Sequence, residues 1–143
     1  MATILLVNDE RILRTLVAAG LRRWGYDVLE AAGARKAFRL AARRPVDLLI
    51  AELSLPGCDG LELARRVRRI APATEVLFLA RAGSPEPLER QAREGGFAVL
   101  REPFAVTELL GLVSARLPEA SPVRKPPSSS KNDEERRRLR RSP

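Results

Sequence analysis

The sequence predicts an α/β protein: a doubly wound, five-stranded parallel sheet with helices on both faces. Three observations carry that prediction. Short apolar runs recur along the chain without polar alternation, as strands do when both their faces are covered. Segments with apolar residues at three- and four-residue spacing separate those runs. Both fit within residues 2–118 of a 143-residue chain, enough for one domain of ordinary size and little more.

The runs are "TILLV" (3–7), the weaker "YDVLEA" (26–31), "VDLLIA" (46–51), "EVLFLA" (75–80) and "FAVL" (97–100). Between the first two, Ile12, Leu13, Leu16, Val17, Leu21 and Trp24 predict a helix over 11–24, with Arg14, Arg22 and Arg23 on its other face and Gly25 as a stop. Ala34, Ala37, Phe38 and Ala41 mark a stripe on a helix over 34–44. Leu63, Val67 and Ile70 do the same over 61–70 between arginine pairs, and Pro72 ends that segment. Ser84 and Pro85 form an N-cap and first-turn pair for a helix over 85–94, closed by Gly95 and Gly96. Val106, Leu109, Leu110 and Val113 line the last helix, 105–117, which stops before Pro118. Strands alternating with helices in this way form a sheet whose ligands sit beyond the strands' carboxyl ends. That rule gathers Asn8, Asp9, Glu52, Ala80, Arg81, Arg101 and Glu102 around one crevice.

Charge divides the chain in two. The net charge is +8, yet residues 121–143 contribute +5 of it. From residue 119 onward, proline, serine and arginine dominate, with Val123 and Leu139 as the large apolar residues. Such a segment cannot bury enough surface to offset its chain entropy, so 119–143 is expected to be a disordered basic tail. One cysteine excludes an internal disulfide and a thiolate zinc cluster, and zero histidines exclude chemistry that relies on imidazole. The N-terminus is too briefly apolar for a signal peptide, and no run approaches a membrane span. A soluble cytoplasmic protein is expected.

Three stretches, "ILLVNDE", "PVDLLIAELSLPGCDGLEL" and "VLREPF", resemble the signature segments of the receiver domain of two-component response regulators. The resemblance spans residues 2–118. It implies the flavodoxin-like (βα)5 receiver fold with strand order 2-1-3-4-5. It also implies a chemistry: an aspartate ending the third strand accepts a phosphoryl group from a histidine kinase. Two acids after the first strand help hold magnesium, and a hydroxyl and a lysine after the fourth and fifth strands bind the phosphoryl group. Positioning and charge neutralisation are most of what such a transfer requires.

Position by position, this sequence departs from the pattern. Asn8 replaces the first acid and only Asp9 is kept. Glu52 stands at the acceptor position, Ala80 at the hydroxyl and Glu102 at the lysine, and Val99 aligns with an aromatic that in many members of that family swings inward on activation. Gly57, Asp59, Gly60, Pro103 and Phe104 match the frame. The lysine-to-glutamate change is the most severe, since one charge pair at 4 Å is worth about 4 kcal/mol at an effective dielectric near 20, and reversing the sign roughly doubles the loss. The extra methylene of Glu52 moves its carboxylate about 1.5 Å, and a misplacement of about 1 Å can lower a rate about 100-fold. Ala80 loses a hydrogen bond worth about 1 kcal/mol. Phosphorylation is expected to be negligible and the domain to be a degenerate pseudo-receiver without enzymatic activity.

Several readings stay open at this level. Glu52 can imitate a phosphorylated aspartate, or Arg81 can pair with Glu52 or Glu102 and freeze the crevice, or both Arg81 and Glu102 can point into water. Asp9 and Glu52 are weak candidates for magnesium or calcium, and no cofactor is expected. Cys58 lacks an activating partner and reads as loop filler. The alternative function is an active response regulator phosphorylated at Glu52 with magnesium. A second alternative is weak, salt-dependent binding of nucleic acid or an acidic protein by Arg136, Arg137, Arg138, Arg140 and Arg141. The preferred partner is a protein: a second copy, a kinase or another regulator, docked on the mixed charges of Arg90, Arg93, Glu94, Arg101 and Glu108.

Overall fold

The computed structural model describes residues 1–117; the expected tail, with Arg136, Arg137, Arg138, Arg140 and Arg141, lies outside them. Five strands, β1 (Thr3–Val7), β2 (Asp27–Ala31), β3 (Leu48–Glu52), β4 (Glu75–Ala80) and β5 (Ala98–Arg101), alternate with α1 (Arg11–Arg23), α2 (Ala34–Arg43), α3 (Gly60–Ile70), α4 (Glu86–Glu94) and α5 (Val106–Arg116). All pairings are parallel and the order is β2-β1-β3-β4-β5, the order expected of the receiver fold.

The runs "ILLV" and "LLIA" become central strands with both faces buried, and so supply two separate cores. Leu5, Val7, Leu49, Ala51 and Phe78 face α2, α3 and α4. Ile4, Leu6, Leu48, Ile50, Leu77 and Leu79 face α1 and α5. Burying a side chain of this size contributes roughly 1.5–3 kcal/mol. Gly60 opens α3 tight against the end of β3: a Cβ there would collide with the Glu52 carbonyl oxygen. Asp59 caps α3, its Oδ1 accepting the Glu62 N–H at 2.8 Å. The family-like loop thus fixes where β3 ends and which way Glu52 leaves it.

Four expectations are corrected. Ile12 and Leu16, placed in the α1 stripe, are 75% and 60% exposed; the buried ridge runs through Val17, Ala18 and Leu21, and Ile12 and Leu16 lie beside it. Ile70 is likewise 48% exposed at the end of α3. Ser84 does not cap α4: Pro85 holds the N-cap position and the buried Ser84 Oγ has no hydrogen-bond partner among the described residues. Arg14, assigned to the outer face, folds back, donating from Nη1 to the Asn8 carbonyl at 2.7 Å and lying 3.4 Å from Glu30. No described helix is long and apolar enough to cross a membrane.

Candidate functional site: the carboxyl edge of the sheet

β1 ends at Val7, β3 at Glu52 and β4 at Ala80. Parallel pairing in register therefore delivers Asn8, Asp9, Glu52 and Arg81 to one edge, with Glu102 one residue past β5.

Asn8 is buried, and its Oδ1 accepts the Glu10 N–H at 2.7 Å. A side-chain bond of this kind turns the chain out of β1 into α1. Glu10, at the N-cap position of α1, makes no side-chain cap of its own. The Asn8 amide adds no further negative charge to an edge that already holds Asp9, Glu52 and Glu102, and Asn8 Nδ2 is buried without a hydrogen-bond partner among the described residues.

Arg81 is the hub. Its Nε donates to Glu52 Oε1 at 2.8 Å and its Nη2 donates to Asp9 Oδ1. One planar guanidinium, with donors fixed in a fork, holds two carboxyl groups from two strands. The open choice between a paired and a solvent-facing Arg81 resolves to the paired one. Asp9 first, and then Glu52, hold the guanidinium more firmly protonated than an ordinary arginine.

Glu52 is fully buried, while Asp9 keeps 28% of its side chain exposed. Burial first, and then a hydrogen bond with Glu102, push the Glu52 carboxyl up to about 8, with Arg81 pulling the other way. Glu52 Oε2 and Glu102 Oε2 are buried without a donor among the described residues. A proton held between these two side chains satisfies both oxygens, whereas two ionised carboxylates would repel with no cation on that side. Counting every acid as ionised gives this edge a charge of −2; a retained proton makes it −1.

The remaining residues divide clearly. Ala80 is buried and Val99 packs against the core beneath α4, so neither reaches the edge with a polar group. Arg101, expected at the crevice, instead leaves it: its side chain is 68% exposed and Nε donates to Glu89 Oε1 at 2.5 Å. Glu89, which the sequence did not single out, is buried on α4 and also accepts from Arg93 at 3.1 Å. Its spacing to Arg93, one helical turn, was the one available signal. Burial pushes the Cys58 thiol up, and the side chain lies beside Asp59 without a base to activate it. Among the described residues, no group of three or more Cys, Asp or Glu is spaced to hold a metal ion.

The family model described as the response regulator receiver domain matches residues 4–114. Similar curated proteins include the DNA-binding transcriptional regulator NtrC of Azospirillum brasilense, 30% identical over 85% of this chain and 25% of its own length. Another is the phosphate regulon transcriptional regulatory protein PhoB of Pseudomonas aeruginosa, 31% identical over 84% of this chain and 53% of its own. The chain thus spans a quarter to about half of these relatives. Among solved structures, the Vibrio cholerae chemotaxis protein CheY4 superposes with a TM-score of 0.73 at 28% identity, covering 82% of this chain and 99% of that one.

Proposed function

Because the chain belongs to the response regulator receiver domain family, we propose that it is a phosphorylation-independent member, a protein-interaction module of a two-component-type pathway. The observation that carries this reading is Arg81 bonded to both Glu52 and Asp9, with Glu102 also beside Glu52. One oxygen of each carboxyl group that would attack a phosphoryl donor or bind a cation is already held by a guanidinium.

A divalent ion does not fit this donor set. Arg81 already takes one oxygen from each of Asp9 and Glu52, and its positive charge repels a second cation at the same carboxyls. The other Glu52 oxygen is buried on a carboxyl that keeps its proton up to about 8. Glu52 is also a poor imitation of a phosphorylated aspartate. A carboxyl that keeps its proton near neutral pH presents no anion, and Ala80 and Val99 have no polar group to sense one. The crevice is therefore better read as a fixed plug than as a switch, and partner concentration rather than phosphorylation would set its occupancy.

Incubation with acetyl phosphate and magnesium, followed by intact-mass measurement, tests this. The expected result is no phosphoryl adduct on the wild-type chain. A stable adduct mapped to Glu52 would sink the proposal and favour an active response regulator. A variant combining Asn8→Asp, Glu52→Asp, Ala80→Thr, Arg81→Ala and Glu102→Lys is expected to gain the adduct, since the backbone frame is intact.

A further inference from the structure

The folded domain carries its excess charge on one pair of helices. α2 and α3 pack side by side and together hold Arg35, Lys36, Arg39, Arg43, Arg65, Arg66, Arg68 and Arg69 against a single acid, Glu62. Of these cations, only Arg66 has a carboxylate partner among the described residues, Glu62 at 3.1 Å. α4 and α5, by contrast, balance their arginines with Glu86, Glu89, Glu94 and Glu108. A field of one sign on one face steers partners of the opposite sign.

This face is also concave. Between the start of α2 and the loop leading into α3 lies a cavity of about 520 Å³. Phe38, Pro56 and Leu63 supply apolar lining, and Arg35, Arg39 and Arg66 stand around it. Arg35 and Arg39 are one helical turn apart, so both project on the same side of α2. The Glu62 pairing holds Arg66 across from them. Apolar lining with charged groups at the rim is how protein interfaces seat an anchor side chain.

We propose that the α2–α3 groove is a docking site for an acidic segment of a partner protein that inserts one large apolar side chain against Phe38 and Leu63. The arginines take the flanking carboxylates, for which a planar fork is suited. A nucleic acid would use the same cations but would leave the apolar lining without a role, which favours the peptide. The groove shares no residue with the Arg81 cluster. The site therefore stands or falls separately from the absence of phosphorylation.

Fluorescence anisotropy on the full chain at low salt tests it. The probe is a fluorescein-labelled, glutamate-rich peptide with one central leucine. Its comparators are the same peptide with glycine in that place and a single-stranded oligonucleotide of matching charge. The leucine peptide is expected to bind about tenfold more tightly than the glycine peptide. Arg35→Glu and Arg39→Glu, both exposed positions, should each weaken it about fivefold or more, and Phe38→Ala should erase the leucine advantage. The basic run at 136–141 is untouched in these variants, so any loss reports the groove. If Phe38→Ala does not fold by circular dichroism, the arginine variants and the leucine–glycine pair decide alone. Equal affinity for both peptides overturns the proposal, as does wild-type affinity in both arginine variants. So does an oligonucleotide that binds as tightly as the leucine peptide and depends equally on Arg35 and Arg39.

Discussion

Glu52 and Glu89 make an instructive pair. Each is a buried glutamate and each is bonded by arginine, Glu52 at the end of β3 and Glu89 on α4. Yet Glu52 holds its proton up to about 8, while Glu89 is pushed below the ordinary carboxylate range, first by its hydrogen bond to Arg101 and then by Arg93. Two differences account for the split. Glu89 meets two arginines and no second acid, whereas Glu52 meets one arginine that it shares with Asp9 and a neighbouring Glu102. Glu52 is also at zero exposure, against 9% for the Glu89 side chain. An arginine neighbour does not by itself keep a buried carboxylate charged; the balance of burial and second neighbours decides.

The largest expected effect is the pH dependence of stability. The Glu52 carboxyl is raised from 4.5 to about 8 in the fold, so the folded chain binds more protons than the unfolded one between those values. Stability from this group is fully present below the unfolded value and is lost as pH rises through about 8. The slope approaches about 1.4 kcal/mol per pH unit at its steepest, a few kcal/mol in total. Chemical denaturation from about pH 5 to 9 should show this fall, and Glu52→Gln, which has no proton to lose, should flatten it. An unchanged slope in Glu52→Gln would place the titration elsewhere.

Arg81→Ala comes next. Removing one partner of a buried ion pair typically costs about 3–5 kcal/mol. Here two features reduce that figure. Asp9 is partly exposed and can be solvated, and Glu52 can retain its proton over a wider pH range. A loss of about 2 kcal/mol is expected near neutral pH, growing with pH, with Glu52→Gln in the same chain recovering part of it. Equal stability of Arg81→Ala and wild type across the whole pH range would mean that the guanidinium does not hold the edge together.

These energetics bear on what was readable without coordinates. The strands were legible because an apolar run buried on both faces leaves little freedom; "ILLV", "EVLFLA" and their neighbours pair in the expected order. The edge residues were legible as positions, since parallel strands end together, and Arg81 was identifiable as a cation near three acids. Its choice of Glu52 and Asp9 over Glu102 was not, because a flexible side chain can reach several neighbours and only packing selects among them. The same limit explains Arg101, whose neighbours in sequence place it at the edge while β5 sends its side chain toward Glu89 on α4. Arg14 turned inward for a similar reason: the Asn8 carbonyl at the end of β1 offers an acceptor that periodicity along α1 cannot reveal. For Ser84, the expected cap gave way when Pro85 took the N-cap position.

The smallest effect sharpens the comparison from the Glu89 side. With its carboxyl lowered in the fold, Glu89 contributes stability that is present above the ordinary value of 4.5 and is lost as pH falls below it, opposite in sign to Glu52. Its partners Arg93 and Arg101 are 51% and 68% exposed, so solvent screens the pairing heavily. Glu89→Gln should cost about 1 kcal/mol or less near neutral pH, and that small cost should shrink further in about 1 M salt. The Glu52 slope, arising inside the sheet edge, should persist at the same salt concentration, because buried groups are screened far less than exposed ones. If salt abolished both effects alike, the distinction between a sealed strand-end cluster and a solvated helix-face cluster would fail. If salt removed only the Glu89 contribution, depth of burial would stand beside the second acid, Glu102, as a difference that separates the two glutamate–arginine clusters.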